Sequence, residues 1–346
     1  MRTELLDYFL PEQLIARHPP AERDGGRMLV LEGNQRQHRA VREFAELVPS
    51  NALVVLNASR VRRARVFGTR RPGGGRVELL FLESLGQAAD GRERWQALGR
   101  ASKSLRPGTV VEVPELEVEI ASTHEGTLEL LVRAAEPVES LLERVGHVPL
   151  PPYLGRGDEP ADGERYQTVY AERTSSVAAP TAGLHLTPDA LARLAARGVE
   201  VRRLELAVGV GTFRPVSSDD LDQHPMHEER FSVSAELVNA VAKARTRGAP
   251  VVAVGTTVVR ALESAAASGE LVATSGNTRL LIQPGYRFRV VDALLTNFHQ
   301  PKSTLLALVT AFAGYESVMA AYADAVERRY RFLSYGDAMW IPRRAS

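Results

Sequence analysis

The sequence predicts an α/β protein, a mostly parallel sheet layered with helices, with a small all-β barrel domain inserted into it. Three observations predict this. Beyond Glu164, capped helical segments alternate with short apolar strands, the pattern of a sheet with crossover helices. Between the apolar "LVVLN" (53–57) and residue 134 the chain carries short alternating segments with no helical period, the sign of a compact β unit. The 346 residues, 44% hydrophobic and 25% charged, suffice for one large domain or two ordinary ones with a substantial core.

In chain order, "MRTELLDYFLPEQL" is acidic and lacks a small-residue cleavage site, so it does not read as a secretory signal. "LVVLN" reads as a strand and leads into seven arginines, Arg60, Arg62, Arg63, Arg65, Arg70, Arg71 and Arg76, broken by the turn "PGGG". "VELLFLE", "RWQALGR", "TVVEV", "LEVEI" and "TLELLVRA" follow as strands of a β-meander, most simply a barrel. A helix, "VESLLERVG", closes that unit, and the Pro/Gly-rich "HVPLPPYLGRGDEP" reads as a hinge. The expected division is therefore an α/β catalytic domain of residues 1–62 and 148–346 with an inserted barrel domain at 63–147.

After the hinge, "TPDALARLAARG" has Thr187 as cap, Pro188 as first helical residue and Gly198 as stop. "VEVRRLELAVG" reads as a strand and "SAELVNAVAKARTRG" as a second capped helix. "PVVAVGTT" is an apolar strand of the doubly buried kind, and "VVRALESAAASG" the helix it feeds. "STLLALVTAFAG" and "SVMAAYADAVERRYRFL" read as helices, and "SYGDAMWI" as a closing strand.

Composition excludes several functions. With no cysteine there is no disulfide framework, thiolate metal site or iron–sulfur cluster. No run approaches the ~18 apolar residues that span a bilayer, so no membrane is expected; with no cysteine the cytoplasm is the expected compartment, and a monomer is the expected state, which the sequence does not itself give. The formal charge of +1 does not mark a nucleic-acid binder, yet all but three of the 43 basic residues are arginine. The cluster from Arg60 to Arg76 is either a solvated strand and turn or a stripe for an RNA backbone, with Arg60, Arg62, Arg63 and Arg65 as its candidates.

Five stretches could carry chemistry. "VVAVGTTVVR" is a strand, a tight turn and a helix start. Its Thr256, Thr257 and Arg260 would receive an anion or a ribose, unless the turn is an ordinary helix cap. "LELAVGVGTFRPV" partly matches the first motif of methyltransferases that use S-adenosylmethionine but lacks the third glycine; Thr212 and Arg214 would line a pocket there. "VAAPTAGLHLT" places five small or ring-locked residues before Gly183 and His185, as if backbone must lie close to a ligand at Thr181 and Gly183. "LLTNFHQPKSTLLALV" releases Asn297 and His299 from the end of an apolar strand. "YRFLSYGDAMWI" sets Asp337 beside Gly336, where a carboxylate could act as a base or hold a cation.

Of the eight histidines, His185, His227 and His299 are the proton-transfer candidates, because imidazole titrates near neutral pH; a hydrogen-bonded structural role is the alternative for each. "QHPMHEE" holds His224 and His227 three apart, but Pro225 interrupts any helix across them, and no metal is expected. Nucleophile-elbow, phosphate-loop and G-x-G-x-x-G patterns are absent from the sequence.

Nine fragments, in order, span nearly the whole chain: "YFLPEQLIARHPPAERDGGRMLVL", "GHVPLPPY", "ERYQTVYA", "VAAPTAGLHLT", "GTFRPV", "MHEE", "VGTTVVRALES", "PGYRFRVVDALLTNFHQPKSTLL" and "YRFLSYGDAM". Together they resemble the S-adenosylmethionine:tRNA ribosyltransferase-isomerase family of queuosine biosynthesis. The resemblance implies an α/β domain with an inserted barrel. It also implies transfer and isomerisation of the ribosyl part of S-adenosylmethionine onto 7-aminomethyl-7-deazaguanine at the tRNA wobble position. Epoxyqueuosine-tRNA, adenine and methionine would be the products.

Such a reaction needs a base beside the acidified C5′ hydrogens, a hydrogen bond or proton for departing adenine, held ribose hydroxyls and a neutral aminomethyl group. His185, His227, His299 and Asp337 are the acid–base candidates. Thr181, Gly183, Thr212, Thr256, Thr257, Arg260 and Asn297 are the candidates for holding the donor. The chain departs from the family pattern at Ala58, Ala207, Asn277 and Arg279, and at Arg62 and Arg63. A paralogue with another S-adenosylmethionine-dependent activity, or a non-catalytic tRNA-binding protein, are the alternatives. They gain if the first four positions line the pocket.

Overall fold

The computed structural model describes residues 1–124, 126–209, 216 and 218–344. Its strands in chain order are β1 (Arg27–Glu32), β2 (Gln35–Ala40), β3 (Leu53–Asn57), β4 (Ser59–Val61), β5 (Arg65–Arg71), β6 (Arg76–Gln87), β7 (Glu93–Ala101), β8 (Val110–Val113) and β9 (Leu116–His124). There follow β10 (Thr127–Ala134), β11 (Arg173–Ser176), β12 (Glu200–Leu206), β13 (Glu229–Val233), β14 (Val251–Val254), β15 (Thr274–Thr278), β16 (Ala293–Asn297) and β17 (Ala338–Ile341).

Nine of them form one sheet in the order β15-β13-β12-β3-β14-β16-β17-β1-β2. Its centre, β12-β3-β14-β16, is parallel, as the doubly apolar runs require. β3, β14 and β16 are buried along their whole length. Alternate residues serve opposite faces: Val55, Ala253 and Leu294 join one core, and Val54, Val252 and Leu295 the other. The flanks are antiparallel at β13, β15, β2 and the β16–β17 pair, so the sheet is mixed, with parallel pairing concentrated where the crossover helices are. Three helices carry the expected caps. Thr187, Ser234 and Ser303 each accept a backbone N–H three residues on, at 3.0, 3.2 and 3.2 Å.

Of the other eight strands, β4 and β11 form a parallel pair, and β5 to β10 close into a six-stranded barrel. Its connectivity differs from a simple meander. β5-β6-β7 and β8-β9-β10 are each sequential, but β5 pairs with β8 and β7 with β10 to shut the cylinder. Inward residues Val77, Leu79, Phe81, Trp95, Val118, Ile120 and Leu130 fill it, and Val138, Leu141 and Leu142 of the helix Val138–Val145 pack into the same core.

The last long helix is shorter than its sequence period suggests, ending at Glu327 rather than running to Leu333. Arg329 and Leu333 adopt positive φ (54° and 72°), and the carboxylate of Asp337 accepts the backbone N–H groups of Arg27 and Arg331 at 2.9 and 2.8 Å. This turns the chain back into β17. Among the described residues no single helix is long and apolar enough to cross a membrane.

Candidate active site

A hollow opens at the carboxyl ends of β14 and β16, the position where open α/β sheets bind ligands. After β14 the chain turns at Gly255, whose φ of 95° is available to glycine, and enters the helix Thr256–Ala265 with no side-chain cap. After β16 it passes Phe298 and His299 to the Ser303-capped helix Thr304–Ala313. Two helix N-termini therefore border one hollow, and both favour negative or hydrogen-bond-accepting groups. The small-residue run Ala178–Ala182 forms another wall, with Tyr153, Leu333 and Ser334 closing the rim. Ala182 packs against this turn: a Cβ on Gly255 would lie in ordinary contact with that of Ala182, at 3.5 Å.

Thr181, Thr256, Thr257, Arg260, Asn297 and His299 all line this hollow. Arg260 is buried; its Nε donates to the Leu280 carbonyl at 3.1 Å and its Nη1 to Glu229. Asn297 is buried too. Its Nδ2 donates to the Leu333 carbonyl at 3.0 Å and lies 3.3 Å from His185 Nε2, which leaves Oδ1 without a partner. His299 Nε2 lies 2.9 Å from the Thr296 hydroxyl.

Other expected residues stand elsewhere. His185 does not line the hollow but backs Asn297 from behind. Burial pushes its pKa down to about 4, helped by Arg23 and Arg331. Burial likewise pushes His299 down to about 3. Titration near neutral pH, the reason for choosing them, is thus removed by desolvation; both are neutral imidazoles. His227 lies in a neighbouring hollow with His224, Met226 and Leu280, which shares Glu229 and Arg260 with the first. Among the described residues no cluster of three or more His, Asp or Glu could hold a metal ion.

Asp337 is committed to the fold by its two backbone contacts and Arg27, and it does not line the hollow. Gly183 is also structural: a Cβ there would lie 2.1 Å from the Tyr170 hydroxyl oxygen. Thr212 and Arg214 lie outside the described residues.

Among the arginines, Arg62 is buried. Its Nε meets both carboxylate oxygens of Glu139 at 2.9 Å, its Nη1 donates to the Leu82 carbonyl, and its guanidinium lies over Trp95. It rivets the barrel and is not available to a phosphate. Arg65 is half-buried, paired with Glu78 and donating to the Leu150 carbonyl. Arg63 donates to the Gly146 carbonyl and, with exposed Arg60, lines a separate cavity of about 150 Å³.

Two residues were missed. Glu229 is the one carboxylate among the described residues lining the hollow; the second glutamate of "MHEE" was its only signal. Asn57, fully buried at the end of β3, pairs both ways with the backbone of Leu206 (3.0 Å each) and reaches Thr257 at 3.4 Å. A polar residue ending the apolar run "LVVLN" was the clue.

Together the sheet, its barrel and a polar hollow at the strand ends give an α/β enzyme fold with a candidate site at its parallel centre. The chain belongs to the family described as queuosine biosynthesis protein, whose model matches residues 3–341. It is 53% identical to an S-adenosylmethionine:tRNA ribosyltransferase-isomerase of Sorangium cellulosum, covering 99% of this chain and 98% of that one. A protein of the same name from Anaeromyxobacter sp. is 50% identical, with 99% of each covered. The crystal structure of S-adenosylmethionine tRNA ribosyltransferase from Thermotoga maritima matches with a TM-score of 0.56 at 34% identity, covering 97% of this chain and 99% of that one.

Proposed function

We propose that this chain transfers and isomerises the ribosyl moiety of S-adenosylmethionine onto 7-aminomethyl-7-deazaguanine at the tRNA wobble position, giving epoxyqueuosine-tRNA and releasing adenine and methionine. One observation carries this reading. Fragments that bear the family resemblance, dispersed from Tyr153 to Ser334, converge on a single hollow at the strand ends. The departures from the family pattern fit the same conclusion. Ala58, Ala207, Asn277 and Arg279 do not line the hollow; Asn277 and Arg279 are exposed, on and just after the edge strand β15.

In this reading the chain holds the donor by polar groups fixed before it arrives. Asn297, its amide nitrogen held by the Leu333 carbonyl and neutral His185, presents Oδ1 as an acceptor for a ribose hydroxyl or the adenine amino group. The uncapped turn at Gly255, with Thr256 and Thr257, meets the ribose hydroxyls. His299, oriented by Thr296, handles the proton inside the hollow in its neutral form. The buried walls keep the incoming aminomethyl group uncharged and nucleophilic. Arg60 and Arg63 are the arginines left to meet the tRNA backbone. Residues 63–147 form the inserted unit, and 1–62 with 148–346 the catalytic one, in a cytoplasmic monomer.

The test is stoichiometry. Incubation with S-adenosylmethionine should release adenine and methionine in equal amounts, and only when tRNA carrying the aminomethyl-deazaguanine is present. Methionine-free adenine release, or turnover with unmodified tRNA, would contradict it.

A further inference from the structure

The wall between the two hollows includes one buried ion pair, beside Thr304 and Leu305. Arg260 and Glu229 are the only oppositely charged residues among the described lining of the main hollow, and both are buried. The pair is incomplete as it stands. Arg260 uses Nε on the Leu280 carbonyl and Nη1 on Glu229, while Nη2 is buried without a hydrogen-bond partner. Among the described residues, Glu229 gives Oε2 to Arg260, and its Oε1 accepts only the longer contact from the Gly209 amide, 3.3 Å. A buried guanidinium N–H₂ left unpaired is costly, and a carboxylate is the group that relieves the cost most fully.

A second observation points the same way. Arg260 lies one turn into the helix Thr256–Ala265, whose N-terminus is uncapped and borders the same hollow. The unsatisfied backbone N–H groups and the guanidinium thus favour a carboxylate from the same side. Glu229, immediately beside the guanidinium, favours a cation. An anion site and a cation site one ion pair apart, with no net charge between them, match the carboxylate and ammonium carried on one carbon of an amino acid.

We infer that Arg260 and Glu229 form the subsite for the methionyl α-amino-acid head of the donor, with Arg260 Nη2 on its carboxylate and Glu229 on its ammonium. This rests on the reading of S-adenosylmethionine as substrate. The pair touches neither of the bonds at the ribose that must rearrange. It fixes the methionine end, while Asn297 and the Gly255 turn fix the nucleoside end. Methionine leaves as a free zwitterion from the same two residues.

Titration calorimetry without tRNA tests this, using S-adenosylmethionine, its decarboxylated analogue and adenosine as probes. Wild type should bind S-adenosylmethionine about 10- to 150-fold more tightly than the decarboxylated analogue, the range for one charge-assisted hydrogen bond. The double variant Arg260→Gln/Glu229→Gln keeps a neutral hydrogen-bonded pair and avoids a stranded buried charge. In it the discrimination should vanish while adenosine affinity is unchanged. Equal wild-type affinity for the two sulfonium ligands would overturn the inference, as would a variant that weakens adenosine as much as S-adenosylmethionine. Adenine release with modified tRNA, assayed on the same wild-type protein, separates the two failures. Turnover without head-group discrimination sinks the subsite alone, and discrimination without turnover sinks the proposed reaction.

Discussion

Arg60 on β4 and Arg62, one residue past its end, face opposite fates. Arg62→Ala strands Glu139 and the Leu82 carbonyl and uncovers Trp95, so it should cost about 1–3 kcal/mol in denaturant unfolding. Arg60→Ala should leave stability within about 0.5 kcal/mol. If Arg60 meets a phosphate, the same change lowers the salt dependence of tRNA binding by about one unit of slope. Sequence could not separate the two, because an arginine's spacing says nothing about whether a carboxylate folds over it. Asp337 was misread for the mirror reason: a carboxylate beside Gly336 looks poised, but its two oxygens are consumed by backbone N–H groups brought from residues 27 and 331. Thr256, Thr257, Asn297 and His299 were legible because each ends or follows a buried strand, where polar side chains have few other reasons to stand.

At the scale of elements, the two turns into helices set the hollow. Ser303→Ala removes the only side-chain cap of the helix Thr304–Ala313 and should lower stability by about 1 kcal/mol. It also loosens the segment carrying His299, so kcat should fall further than the stability loss explains at saturating substrate. Equal kcat in wild type and variant would show that the cap serves folding alone. The doubly apolar strands and capped helices could be read from residue period and cap chemistry. The hairpin β1–β2 could not be read from period, since β2, "QRQHRA", is polar on both faces at the sheet edge; its signal was the two-residue Gly33-Asn34 turn. The barrel's closure escaped for another reason: a strand's alternation does not name its partner, so β5–β8 and β7–β10 were invisible to it.

For the whole molecule, burial of neutral imidazoles makes acid the enemy. His185 and His299 have folded-state pKa values of about 4 and about 3, against about 6.5 when unfolded. The unfolded chain therefore binds more protons below pH 6.5. The stability is intact above that pH and is lost as pH falls toward the folded values, by about 1.4 kcal/mol per unit for each histidine. Unfolding at pH 5 should take up about one proton fewer in His185→Gln, read from the pH dependence of the denaturation midpoint. The rate should behave differently. With His299 neutral throughout, kcat/KM should show no histidine limb between pH 5 and 8; a limb near 6.5 that His299→Asn abolishes would refute the proton role as drawn.

The most direct test of the account is nucleoside mass spectrometry of tRNA bearing the aminomethyl-deazaguanine after incubation with S-adenosylmethionine, for wild type and Asn297→Ala. The hollow at the ends of β14 and β16 predicts the epoxycyclopentanediol nucleoside from wild type, and a loss of at least about tenfold in rate when the Asn297 acceptor is removed. An unchanged wobble nucleoside from wild type, or an undiminished rate from a folded Asn297→Ala, would contradict it.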